Sequence, residues 1–172
     1  MSFSDSPQPE TISLDAYRRL MTRYESLMAI SRQLNSTLDL GALLKLIVHA
    51  AADLTETEEA SILLLDPASG ELRFEAASAM SRAEMAAIPV PIEGSLAGWV
   101  VTHGEPVLVA NAQDDARWFP RVDKTTQFHT RNLLAVPLSL QNQPIGVIEA
   151  INKRGSQPWT EDDENTLAAL AD

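Results

Sequence analysis

The apolar residues of this chain change their spacing near residue 55, and that change limits the folds open to it. Before it, Leu40, Leu43, Leu44, Ile47, Val48, Ala51 and Leu54 recur in steps of three and four, the mark of a helix with one buried stripe; Asp39 can cap it. After it come short apolar runs bounded by turn residues. Ala60 to Leu65 is nearly continuous, Asp66-Pro67-Ala68-Ser69-Gly70 is turn chemistry, and Glu71 to Ser78 leads away, so a hairpin is expected. Leu133 to Leu140 and Pro144 to Asn152, joined by Gln141-Asn142-Gln143, predict a second hairpin, and Pro106 to Ala110 a single strand. Strands joined by short turns make an antiparallel sheet, and helices gathered at the two ends make the class α+β.

The remaining elements are shorter. Ser81 to Ala87 predicts a short helix, and Ile88 to Ile92 an extended segment with two prolines. Gly94-Ser95 opens a helix carrying Leu96, Trp99 and Val100, with Gly104 as a left-handed stop. Residues 111–131 form a long polar connection of the kind often used as a binding loop. Thr160 caps a last helix, Asp163 stands in the capping-box position, and Leu167 and Leu170 give its apolar side. Three segments are expected: a flexible leader at 1–13, a signalling and dimerisation helix at 14–38, and a folded domain at 39–172. In the second, Tyr17, Leu20, Tyr24, Leu27, Ser31, Leu34 and Leu38 alternate steps of three and four. That is a coiled-coil seam with one polar break; it predicts a parallel homodimer, the alternative being one long helix that lies against its own domain. The last helix stops without a C-cap, so the chain is expected to be a fragment of something longer.

Composition removes several functions. The formal net charge is −11 and Lys and Arg are dispersed, which argues against nucleic acid and against an anionic membrane surface. There is no cysteine, which removes disulfides, thiolate-bound metals and thiol catalysis and fits a cytoplasmic location. No apolar run approaches the ~20 residues of a membrane span, and no signal-peptide pattern is present. His49, His103 and His129 fall on three different elements, and there is neither a Gly-x-Ser-x-Gly elbow nor a phosphate loop. No enzyme, no metal site and no resident cofactor are therefore expected.

Asn152-Lys153, Trp159 and Asp163-Glu164 resemble the Asn-Lys…Phe…Asp-Glu signature of GAF domains in cyclic-nucleotide phosphodiesterases and cyanobacterial-type adenylyl cyclases, with Trp159 in place of Phe. Phe128 to Leu134 resembles the Phe-Arg-Thr-Arg-Asn segment of the same family, with His129 for Arg. Ala60 to Asp66 and Gly94 to Gly104 also read as GAF, so the resemblance spans about residues 20–171. It implies a GAF-type antiparallel sheet with helices packed at one face and a long N-terminal helix. It also implies a regulatory sensor that acts on an output domain of the same protein.

The ligand site implied by the resemblance is Ser61, Phe74, Glu75, Leu96, Ala97, Phe119, Thr126, Thr130 and Glu149, and the ligand a cyclic nucleotide, cAMP or cGMP. Leu96 and Ala97 open a helix, whose free N–H groups can hold a phosphate. Ser61, Thr126, Thr130 and Glu149 can meet base or ribose edges, and Phe74 and Phe119 offer apolar surface. Glu75 stands for the family's Asp, and Gln127 for its usual Gly. The signature residues are read as a structural lock: an exposed Lys153–Asp163 pair, worth ~1 kcal/mol or less, that fixes the last helix. Two alternatives stay open: a ligand-free dimerisation and relay module, or a sensor of a different small ligand. Among other GAF chemistries, thiol-based sulfoxide reduction and internal bilin attachment need a cysteine, and His129 is the one candidate axial ligand for haem.

Overall fold

A computed structural model describes residues 40–171. The expected leader and the helix at 14–38 lie outside the described residues. Helix α1 (Leu40–Leu54) is followed by strands β1 (Thr57–Asp66) and β2 (Glu71–Ala77), the short α2 (Arg82–Ala87), α3 (Leu96–His103) and β3 (Val107–Val109). The lid segment then carries a 3-10 turn (Ala112–Asp114) and α4 (Arg121–Thr126), and β4 (Leu133–Leu140), β5 (Gln143–Lys153) and α5 (Glu161–Ala171) complete the chain. The strands form one sheet in the order β2-β1-β5-β4-β3, and every neighbouring pair is antiparallel. This is the expected α+β class with both expected hairpins.

Side chains along a strand alternate between faces, and here both faces are buried. One face carries Ala60, Ile62, Leu134, Val136, Ile148 and Ala150, packed against Leu44, Val48 and Ala51 of α1 and Leu167 and Ala171 of α5. The two long helices thus share one face. The other carries Leu63, Phe74, Leu133, Ala135, Val147 and Ile151, packed against Leu96, Ala97 and Val100 of α3 and the apolar residues of the lid.

Local chemistry sets the helix ends. Ser81 and Glu84 form a reciprocal capping box at α2. Ser95 Oγ accepts from Gly98 N at 2.9 Å to cap α3, and Gly104 closes it at φ 66°. Thr160 and Asp163 cap α5 reciprocally: Asp163 N donates to Thr160 Oγ1 at 3.2 Å, and Thr160 N to Asp163 Oδ2 at 2.9 Å.

Candidate functional site

The second face of the sheet carries a cavity of about 140 Å³. The sheet forms its floor, the start of α3 one wall, and the lid its roof. Of the nine expected ligand residues, Ser61, Phe74, Leu96, Ala97, Phe119, Thr126, Thr130 and Glu149 line it.

Glu75 does not. It is exposed, because the β1–β2 ladder pairs Leu63 with Phe74 but Ile62 with Ala76. Glu75 is the extra residue of that bulge, which points Phe74 inward and sends Glu75 to solvent.

Glu149 on β5 stands opposite Ser61 on β1, so the hydroxyl reaches the carboxylate at 2.9 Å. Part of Glu149 borders the cavity, yet protein surrounds it. Burial pushes its pKa up to about 7, against the smaller opposing effect of the Ser61 bond. Glu59, two residues before Ser61 and on the same face of β1, also lines the cavity and accepts from Ser78 Oγ at 3.0 Å and Ala79 N at 2.9 Å. Period-two alternation could have found Glu59 had the strand been started at Thr57 in place of Ala60.

The lid is built on Asp123 of α4. Its carboxylate accepts from Thr130 N at 2.8 Å and from Thr130 Oγ1 at 2.7 Å. Thr126 Oγ1 donates to Val122 O at 2.9 Å. Both threonine protons are therefore used inside the lid, and these hydroxyls can meet a ligand only as acceptors. At the start of α3, Leu96 and Ala97 are buried, and their N–H groups have no acceptor within the helix. Arg117 of the lid lies over the ring of Trp99 at 4.9 Å and pairs with Asp115 at 2.7 Å. His103 stacks on Trp99, with ring centroids 4.2 Å apart. His49, His103 and His129 are all exposed and none lines the cavity, so His129 is not placed to ligate a haem there.

The signature residues lie at the far end of β5. Lys153 Nζ donates to Asp163 Oδ1 at 2.6 Å and to Thr55 O at 2.9 Å. This pair is not the exposed one expected: the two side chains are only 8% and 7% exposed. Trp159 stands near the ammonium, 5.8 Å from ring centroid to Nζ, and also packs against the α1–α5 core. Glu164 sits half-buried in the first turn of α5.

Asn152 ties the lid to the sheet. It is fully buried; its Oδ1 accepts from Arg131 N at 2.7 Å, and its Nδ2 donates to His129 O and to Glu58 Oε2, each at 2.9 Å. It also holds φ at 60°, a conformation Asn tolerates better than most residues. Asn152→Ala should cost about 1–3 kcal/mol through the groups left unpaired. It should also speed hydrogen exchange at Arg131 N; unchanged exchange there would remove the anchoring role.

The GAF domain family profile matches residues 39–172. The dual 3′,5′-cyclic-AMP and -GMP phosphodiesterase 11A of Takifugu rubripes is 39% identical over 82 residues, 46% of this chain and 9% of that protein. The corresponding phosphodiesterase 11 of Drosophila melanogaster is 39% identical over 82 residues, 47% of this chain and 6% of that protein. The matched region is thus a small part of each relative. The GAF domain of a phosphoenolpyruvate-protein phosphotransferase from Coxiella burnetii superposes with TM-score 0.70 at 20% identity, covering 88% of this chain and 89% of that one. A second such domain, from Acinetobacter, gives 0.66 at 24% identity, covering 87% and 88%. These two share the fold.

Proposed function

This chain belongs to the GAF domain family, and from that premise we propose that it is a regulatory sensor whose cavity binds a cyclic purine nucleotide, cAMP or cGMP. The observation that carries the proposal is the cavity under the lid, whose lining brings together eight of the nine residues implied by the resemblance. The start of α3 offers backbone N–H groups for a phosphate, and Phe74 and Phe119 offer apolar walls for a base. The relatives' names supply the ligand class. Binding closes the lid and biases an output domain of the same protein, which requires different affinities in two states. No step of catalysis is assigned to the chain, and no resident cofactor. A cytoplasmic location belongs to the same proposal.

Pairing of two copies through residues 14–38 is part of it too. Leu40, Leu43, Leu46 and Leu54 of α1 are exposed, apolar surface of the kind a second copy covers.

Thermal melts test the ligand. A molecule that binds only the folded state adds about 2.7 kcal/mol at a hundredfold excess over Kd. Cyclic AMP or cyclic GMP should raise Tm, and the 5′-monophosphates should not, because a dianion asks for more counter-charge than backbone amides give. No shift with either cyclic nucleotide at millimolar concentration, in protein free of co-purified ligand, would end this reading. One observation favours a second. Among the described residues, Glu59, Glu84, Asp123 and Glu149 line the cavity and no Lys, Arg or His does, an arrangement that suits a neutral or cationic ligand. A stabilising amine or uncharged heterocycle with no response to cyclic nucleotides would select it.

A further inference from the structure

We propose that the cavity takes up a proton with its ligand, and that Glu149 enters the complex as the neutral acid, donating a hydrogen bond. This rests on the cyclic-nucleotide reading and concerns how that site can hold an anion.

A cyclic phosphate carries one negative charge into a wall with four carboxyl groups. Against it stand only the N–H groups that begin α3. Each ionised carboxylate that lines the cavity opposes the phosphate. One of the four must be neutralised more easily than the rest. Asp123 is committed by two hydrogen bonds from Thr130, and Glu59 accepts from Ser78 and Ala79. Glu84, on α2, accepts from Ser81 N at 2.8 Å as part of the capping box; its pKa is lowered chiefly by hydrogen bonding to Ser81. Glu149 has Ser61 alone and is held at about 7 by burial. No cation on β1, β4, α3 or the lid borders the cavity to keep Glu149 charged.

Donor supply points the same way. The hydroxyl protons of Ser95, Thr126 and Thr130 are given to Pro91 O, Val122 O and Asp123, so they are not available to a ligand. A protonated Glu149 adds a donor on the sheet floor, where a ribose oxygen or a ring nitrogen can accept.

The direction of the pH dependence follows. A ligand that binds the protonated form binds well below the pKa of the empty site and loses affinity above it. With that pKa near 7, the protonated fraction falls about tenfold from pH 6 to pH 8.

The test is titration calorimetry of cyclic AMP and of cyclic GMP at pH 6, 7 and 8. Each pH is run in two buffers of different ionisation enthalpy, so that proton transfer is read directly. The expected result is Kd about tenfold weaker at pH 8 than at pH 6, with close to one proton taken up per ligand at pH 8. Glu149→Gln fixes the neutral form. After its fold is checked by circular dichroism, it should bind with a flat pH profile and more tightly than the unaltered protein at pH 8. Binding with no proton uptake and a flat profile in the unaltered protein overturns the inference and leaves the cyclic-nucleotide reading standing. Absence of binding by both nucleotides at all three pH values overturns that reading as well.

Discussion

Replacing Lys153 with alanine lowers the unfolding free energy by about 3–5 kcal/mol, the cost of leaving one partner of a buried ion pair alone. Urea denaturation at pH 7 measures it. Asp163 is left almost without water, and Thr55 O loses its donor. Burial on its own would raise the Asp163 pKa, but the hydrogen bonds from Lys153 and Thr160 outweigh it and hold the carboxyl below its usual range. A carboxyl with a depressed folded pKa stabilises the fold above its unfolded pKa. That contribution is lost as pH falls through the folded value. The unaltered protein should therefore weaken in acid, and Lys153→Ala should show less of that weakening. The double change Lys153→Met with Asp163→Leu should recover only part of the loss: it removes the stranded charge but leaves Thr55 O without its donor and Thr160 N without its acceptor at the α5 cap. A cost below ~1 kcal/mol for Lys153→Ala would place the pair in the class of exposed bridges.

The second large effect is at Gly98, in the first turn of α3. A Cβ there would stand 1.9 Å from Ile92 O and 2.5 Å from Ile92 Cα, all backbone that no rotamer can clear. Gly98→Ala must push α3 away from the segment before it, at a cost of about 1–3 kcal/mol or more. The same displacement moves the Leu96 and Ala97 amides, so ligand-induced stabilisation should be lost by more than the stability loss accounts for. Gly104→Ala is the control. Its Cβ would meet only Pro144 Cγ at 3.5 Å, and its penalty comes from φ 66° alone, at the opposite end of the helix. A variant at Gly98 that kept full stability and ligand response would show that the close approach of α3 is not needed.

Where a residue's surroundings are local, they were legible. The stripe Leu40 to Leu54 predicts helix α1 and its end at Leu54, though only Leu44, Val48 and Ala51 of that stripe are buried while Leu40, Leu43 and Leu54 are exposed; the apolar runs predict β1, β4 and β5 with ends wrong by up to three residues. Caps at Ser95, Gly104 and Thr160 were legible because their partners lie within five residues. What escaped depends on distant groups. Nothing near Glu75 announces a bulge, because an extra residue changes the side a chain faces without changing composition. Nothing near Lys153 shows that it is buried, since lysine is nearly always exposed unless paired, and its partner follows ten residues later. Helix α4 has no apolar stripe to mark it. It is held by Asp123 reaching seven residues ahead to Thr130, and it closes at Gln127 with φ 58°, where the family's glycine would sit without strain.

The alternation along β5 has a mechanical meaning. Val147, Glu149 and Ile151 belong to the cavity side, while Ile148 and Ala150 are packed under α1 and α5. Sliding the strand by one residue would exchange the two sets and drive the Glu149 carboxyl into alkyl side chains. Translation along the strand is therefore closed to it, but tilting as a stiff beam is not. The cavity lies near the middle of that beam and the Lys153–Asp163 joint at its end, against the first turn of α5. Whatever fills the cavity and tilts that beam therefore also changes the angle between α5 and the sheet.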